Sequence, residues 1–181
     1  MAKLLQIPPF EGALPLHFGT IIAAAVPMQT MTSIAPFRDR EADVSAKIEA
    51  VTGTGLPPIG KVSKGQSFEI AWAGYGIYFA FGTKLDPLPG AAMTDQSDAW
   101  AGVDISGAQS ADMLARLVPV DLPRMPKDTA ARTMLGHMNC LLIKDDDARF
   151  RIFVFRSMAG TAAHELEAAM RAIAARNARS Q

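Results

Sequence analysis

Cysteine is the scarcest informative residue in this sequence, with Cys140 alone in 181 residues. A single thiol excludes an intrachain disulfide and a multi-cysteine zinc site, and it carries no sign of an oxidising compartment, so a cytoplasmic protein is expected. Histidine is nearly as rare. His17, His137 and His164 fall in three separate segments, without the close spacing that metal ligation needs. Neither sign of charge is in excess, since Lys plus Arg and Asp plus Glu both number 18. Without surplus cations there is nothing to displace counterions from a phosphate backbone, and nucleic acid is not an expected partner. Arg171, Arg176 and Arg179, near the C-terminus, read instead as helix-end cations favoured by the helix dipole.

Long apolar runs are also missing. No Asp, Glu, Lys or Arg occurs from Gly12 to Phe37, but Pro15, Pro27 and Pro36 interrupt that stretch. Its apolar run extends only from Ile21 to Met28, whereas a membrane-spanning helix needs about 20 residues. Lys3 followed by Pro8, Pro9 and Glu11 does not have the form of a secretory signal. Neither a membrane nor export is expected. Residues 1–27 read as an arm that packs against the body or against a partner, and charge depletion from Gly12 to Phe37 suits an interface.

The remaining composition is that of a folded domain, with 49% hydrophobic and 20% charged residues. A chain of this size buries about 70% of the surface its unfolded form exposes. Met28 to Phe37 reads as a strand, and Asp39 as the cap of a helix carrying Val44, Ile48 and Val51 at helical spacing up to Gly53. Ser67 to Trp72 and Gly76 to Phe81 form two aromatic runs around a tight turn, as in a hairpin. Lys84 to Asp98 has turn chemistry and no apolar period, and reads as a connector. The pattern then restarts with a strand from Ala99 to Ile105. A helix follows Ser106 and Gly107, with Met113, Leu114 and Leu117 on one face. Thr133 to Ile143 and Phe150 to Phe155 are two further strands, and Ser157 caps a last helix marked by Met158, Ala162, Leu166, Ala169 and Ile173. The expected fold is α+β, with two pseudo-repeated strand-helix-strand-strand (ferredoxin-like) halves, 28–93 and 94–181, behind the 1–27 arm.

Motifs with possible chemistry each meet a physical objection. Gly55 to Lys61, GLPPIGK, has the spacing of a phosphate-binding loop. Val62 stands where a magnesium-binding hydroxyl belongs, however, and Pro57 and Pro58 remove backbone donors, so a plain loop is expected. Asp145, Asp146 and Asp147 read as a solvated hairpin tip rather than an acid-base set. His137 and Cys140, three apart in an extended strand, point to opposite faces and cannot pair. Trp72, Tyr75, Tyr78, Phe79 and Phe81 could stack a pterin or flavin ring, but core packing is the commoner use of such a cluster. No catalytic, cofactor-binding or metal residue is assigned.

Three blocks in order carry a resemblance: TDQSDAWAGVDISGAQSADMLARLVPVDL (Thr94 to Leu122), ARTMLGHMNCLLI (Ala131 to Ile143) and FRIFVFRSMAGTAAHELEAAM (Phe150 to Met170). The Asp95-Gln96-Ser97 entry, the Ser106-Gly107 turn, the Ala131-Arg132-Thr133 start and the Arg156-Ser157 exit are its marks. Leu56-Pro57-Pro58 and the Trp72 hairpin add weaker ones. In these blocks the chain resembles the gamma subunit family of heterotetrameric sarcosine oxidase, itself similar to the folate-binding domain of the glycine-cleavage T-protein.

That resemblance implies a folate-binding-domain type of fold and a noncatalytic bacterial subunit. FAD, FMN, NAD and tetrahydrofolate would be held by the alpha, beta and delta subunits, which oxidise sarcosine to glycine. The hairpin from Phe68 to Phe81 has Glu69 as its only acid and no Asn, so the acidic loop of a folate-dependent aminomethyltransferase is absent from it. An independent one-carbon enzyme of that type, or an interaction domain reusing the fold, are the alternatives.

Overall fold

In a strand, alternate side chains face opposite sides, so a strand buried on both faces reads as an unbroken apolar run. The computed structural model describes residues 7–66, 68–82 and 84–179, and most of its strands belong to that class. Two antiparallel sheets result. Strands β1 (Leu16–Phe18), β2 (Ile21–Ala25), β8 (Trp100–Ser106), β9 (Thr129–Leu135), β10 (Met138–Asp146) and β11 (Arg149–Phe155) form one, in the order β1-β2-β8-β11-β10-β9. The other comprises β3 (Thr30–Pro36), β4 (Val62–Lys64), β5 (Glu69–Gly74), β6 (Ile77–Gly82) and β7 (Ala91–Asp95), in the order β4-β5-β6-β3-β7.

The sheets pack face to face, and each carries helix on its outer face. Ala71, Ala73, Phe79 and Phe81 of the five-stranded sheet meet Trp100, Leu141, Ile143 and Phe153 of the six-stranded one. The neighbouring residues on the same strands point the other way. Val103, Ile105, Cys140, Leu142, Phe150, Ile152 and Val154 pack under α2 (Ser110–Leu114) and α3 (Ala159–Arg179). Ile34, Ile70, Tyr78 and Ala80 pack under α1 (Glu41–Thr52). Helix α3 buries Ala162, Ala163, Leu166, Ala169, Met170 and Ile173, a stripe at helical spacing. Each large aliphatic side chain so buried stabilises the fold by about 1.5–3 kcal/mol.

The sheets are joined at one edge by backbone. Lys61 bridges Thr129, the Val62 N–H donates to the Asp128 carbonyl at 3.0 Å, and the Ala130 N–H donates to the Gly60 carbonyl at 3.0 Å. The GLPPIGK segment is therefore a loop whose end stitches the five-stranded sheet to the six-stranded one.

Several expectations need correction. Of the two packings open to the arm, its described part takes the one against the body, and as strand: β1 and β2 form a hairpin that pairs with β8, and Ile21 and Ala23 are fully buried. The run Ile21 to Val26 is apolar on both faces, which hides the two-residue period. Thr133 to Ile143 is not one strand but the β9–β10 hairpin, turned at Gly136 in the left-handed region, φ 57°. The second half thus has three strands after its first helix, β9, β10 and β11, and the first half has four, β4 to β7, where two were expected in each. The connector Lys84 to Asp98 contains β7, paired with β3, whose Ala-rich sequence carries no apolar signal.

The predicted caps also fail. Arg40, not Asp39, precedes the first turn of α1 without a side-chain cap. Asp39 itself adopts φ 61°. Ser157 lies in a 3-10 turn before α3 rather than at a cap. Helix α2 ends at Leu114, so Leu117 lies beyond it. Lys3 and Ser67, the expected start of a strand, lie outside the described residues.

Gly107, with φ 120°, passes so close to the β1–β2 turn that an added Cβ would lie 1.8 Å from the Thr20 carbonyl oxygen. Gly107→Ala is expected to destabilise the chain by at least about 2 kcal/mol in urea unfolding. Removing residues 7–27 exposes the β8 edge and is expected to abolish the cooperative transition altogether, as followed by circular dichroism.

Candidate functional site

The space between the sheets is apolar along most of its length and charged at one end. Strand parity places Asp104 of β8, Arg149 and Arg151 of β11 and Asp145 of β10 on the face turned toward the other sheet, which contributes Glu69 of β5 and Lys64 of β4. Arg151 is the hub. Its Nε and Nη2 donate to the two oxygens of Asp145 at 2.6 and 2.7 Å, and Nη2 also donates to Glu69 Oε1 at 2.7 Å. Lys64 Nζ donates to Asp145 at 3.2 Å and to Asp128 at 2.5 Å. Arg149 makes a two-pronged contact with Asp104, Nε to Oδ2 at 3.0 Å and Nη2 to Oδ2 at 2.5 Å. All of these groups but Asp128 line an open cleft of about 830 Å³, together with Ala24, Ala25 and Val26.

The side chains of Arg151, Asp145 and Glu69 are 13%, 15% and 19% exposed, so they interact largely out of water. Burial pushes the Asp145 carboxyl up, but hydrogen bonds and charge from Arg151 and Lys64 outweigh it and hold the group below its ordinary range. Burial likewise pulls the Arg151 guanidinium down, and Asp145 and Glu69 more than reverse it. A carboxylate held this firmly ionised, with both oxygens engaged by one guanidinium, is a poor proton acceptor near neutral pH. The arrangement fastens one sheet to the other. It offers no free acid or base.

Asp145 thereby departs from its reading as part of a solvated tip. Asp145 keeps the parity of Leu141 and Ile143 and so faces the intersheet space, and the β10–β11 register shifts just there, between Lys144 and Asp146, which leaves Asp145 as the extra residue of a bulge. Asp146 and Asp147 do sit in solvent, paired with Lys127. A run of three acids carries no mark of which one turns inward. Lys144, which the sequence reading passed over, is buried, and its Nζ donates to the Leu122 carbonyl at 3.0 Å, anchoring the segment after α2.

The other candidates are not brought together. Cys140 is buried on the helix-covered face, where burial pushes its thiol up to about 12, while His137 is exposed at the β9–β10 turn. His17 and His164 lie exposed on β1 and α3. The described residues hold no group of three or more His, Cys, Asp or Glu placed to share a metal ion, and no described helix is long and apolar enough to cross a membrane. The aromatic cluster divides between layers. Phe79 and Phe81 enter the intersheet core, Tyr78 and Trp72 pack on the α1 side, and Tyr75 is 97% exposed at the hairpin turn. Phe37, Ile59, Trp72, Tyr75 and Tyr78 line a second open depression, where the Tyr78 hydroxyl donates to Glu41.

Replacing Arg151 with Met strands Asp145 and Glu69 without their shared cation and is expected to cost about 2–4 kcal/mol in urea unfolding. The Asp145 contribution, whose folded-state carboxyl titrates below the unfolded one, is present above the unfolded carboxylate range and is lost as pH falls through the folded value. Wild-type stability is therefore expected to fall below about pH 4, and the Arg151→Met variant to show a shallower acid slope.

No protein-family model and no curated protein matches the sequence. Among solved structures, a chain of the heterotetrameric sarcosine oxidase from Corynebacterium sp. U-96, in complex with pyrrole 2-carboxylate, superposes with a TM-score of 0.80 at 20% identity. The alignment covers 94% of this chain and 97% of that one. The regulatory subunit of aspartate kinase from Thermus thermophilus aligns at a TM-score of 0.38 and 12% identity, over 81% of this chain and 96% of that one, too low to bear on the fold. Over 94% of its length, therefore, the protein has the fold of a chain of heterotetrameric sarcosine oxidase.

Proposed function

We propose that this protein is the noncatalytic gamma subunit of a heterotetrameric sarcosine oxidase. The observation that carries the reading is the two-way coverage, 94% of this chain and 97% of its structural neighbour at a TM-score of 0.80. Such two-way coverage fits a subunit of that enzyme. The three sequence blocks, Thr94 to Leu122, Ala131 to Ile143 and Phe150 to Met170, support the same family independently of the coordinates. In this reading the alpha, beta and delta subunits hold FAD, FMN, NAD and tetrahydrofolate in the cytoplasm and carry out the oxidation of sarcosine to glycine. This chain contributes structure. The pairing of Asp145, Glu69 and Asp104 with arginines favours that role over acid-base chemistry.

The halves 28–93 and 94–181 are, in the same proposal, descendants of one duplicated unit, as in the folate-binding type of fold. Strand order supports it. One sheet reads β4-β5-β6-β3-β7 and the other, from its far edge, β9-β10-β11-β8-β2, with the helix in each half following β3 or β8. The flanking strand follows the other four along the chain in one sheet, β7, and precedes them in the other, β2.

Co-expression of this chain, affinity-tagged, with the alpha, beta and delta subunits of the same source is expected to yield all four in constant ratio through successive columns, with flavin absorbance in the complex. Recovery of the tagged chain alone contradicts the assignment. Tetrahydrofolate titrated against the isolated chain is expected to give no saturable heat, whereas stoichiometric binding would favour a one-carbon enzyme.

A further inference from the structure

The end of the intersheet space opposite the charged cleft is apolar and open. Ile77 of β6 shares the parity of Phe79 and Phe81, which face the six-stranded sheet. Met134 of β9 shares that of Ala130, and Phe155 of β11 that of Phe153, which face the other way across the same gap. Yet Ile77, Met134 and Phe155 are 42%, 38% and 43% exposed. Three large side chains on core-facing positions thus remain in solvent at this end, where the Trp100 ring contacts Phe155 at 4.6 Å and Phe79 at 5.1 Å between centroids.

One cation completes the patch. The Arg132 guanidinium lies over the Trp100 ring at 4.9 Å. Two other cations sit over rings, and both also meet acids: Arg171 with Glu167 at 2.6 Å and Lys144 with Asp147 at 3.9 Å. Among the described residues Arg132 meets no carboxylate within ion-pair distance. Arg132 is exposed overall, and partial burial of its guanidinium pulls it below the ordinary arginine range. Aromatic residues, Met and Arg are the types enriched at interface cores, and a rigid stacked arginine is suited to a planar carboxylate.

We propose that this open end, Ile77, Met134 and Phe155 around Trp100 with Arg132 above it, is where a partner subunit docks a segment carrying an Asp or Glu carboxylate beside an apolar side chain. Charge complementarity selects the occupant: the carboxylate pairs with Arg132 while the apolar neighbour covers Met134 and Phe155. The inference rests on the heteromeric reading above and adds to it the surface and the chemistry of the contact. A stable interface buries about 1,200–2,000 Å² in all, so the patch would form its centre and not its whole extent.

Site-specific photocrosslinking in the co-expressed, full-length complex tests it. A benzoylphenylalanine is placed singly at 134 or 155 and, as controls, at the exposed positions Val51 and Ile59. The expected result is a crosslink from 134 and 155 to one partner-subunit peptide containing an Asp or Glu close to the attachment point. Arg132→Glu is expected to reduce co-purified partner about tenfold or more, and Arg132→Lys to reduce it less. Thermal unfolding of each isolated variant shows whether the chain remains folded. If Arg132→Glu does not fold, Met134→Asp is read in its place. A four-subunit complex that crosslinks only at the control positions, or tolerates Arg132→Glu and Met134→Asp unchanged, overturns this inference while leaving the heteromer intact. Failure of the complex to form, or crosslinks only to a second copy of this chain, overturns both.

Discussion

Everything in this fold depends on two sheets sharing one narrow interior. The aromatic pair Phe81 and Phe153, with centroids 5.0 Å apart, and the pair Phe79 and Trp100 at 5.1 Å fill its middle from opposite sides. Because each strand alternates faces, committing Phe79, Phe81, Leu141, Ile143 and Phe153 to that interior sends Tyr78, Ala80, Leu142, Ile152 and Val154 outward. Those outward rows cannot face water, and α1 on one side and α3 on the other supply the cover. The four-layer arrangement follows from strand parity once the sheets are stacked.

The two ends of that interior are finished differently, and the difference bears on function. At one end Arg151 ties Asp145 of its own sheet to Glu69 of the other, so the sheets are held in register by charge-assisted hydrogen bonds in a largely dry setting. Removing one member leaves the others buried and uncompensated, which makes the cluster a lock rather than a reservoir of reactive groups. At the other end the strands run on past their cover, leaving core-facing Ile77, Met134 and Phe155 exposed. Charged groups spent on the chain's own architecture and apolar side chains left open fit the proposed role in an assembly.

Much of this was legible in the sequence because most elements are local and strongly patterned. The last helix, β8, β11 and the β5–β6 hairpin around Tyr75 and Gly76 lie within a residue or two of where alternation and turn chemistry put them. The β1–β2 hairpin was not legible, since Ile21 to Val26 offers no polar residue to reveal its period, and its partner β8 lies some eighty residues away. Strand β7 escaped notice because Ala91 and Ala92 pack by backbone pairing and not by bulk. The β9–β10 turn was written in Gly136 but masked by apolar residues on both sides. The charged cluster was invisible for a different reason: Lys64, Glu69, Asp145 and Arg151 meet only after two sheets stack, and no spacing along the chain encodes that meeting.

The central claim is that this chain works only as one member of a four-subunit oxidase. Native mass spectrometry of the co-expressed assembly tests it most directly. The account predicts one dominant species containing a single copy of each of the four chains, with bound flavin, that survives dilution. A spectrum in which this chain appears alone or as a homo-oligomer, beside an oxidase complete without it, would contradict it.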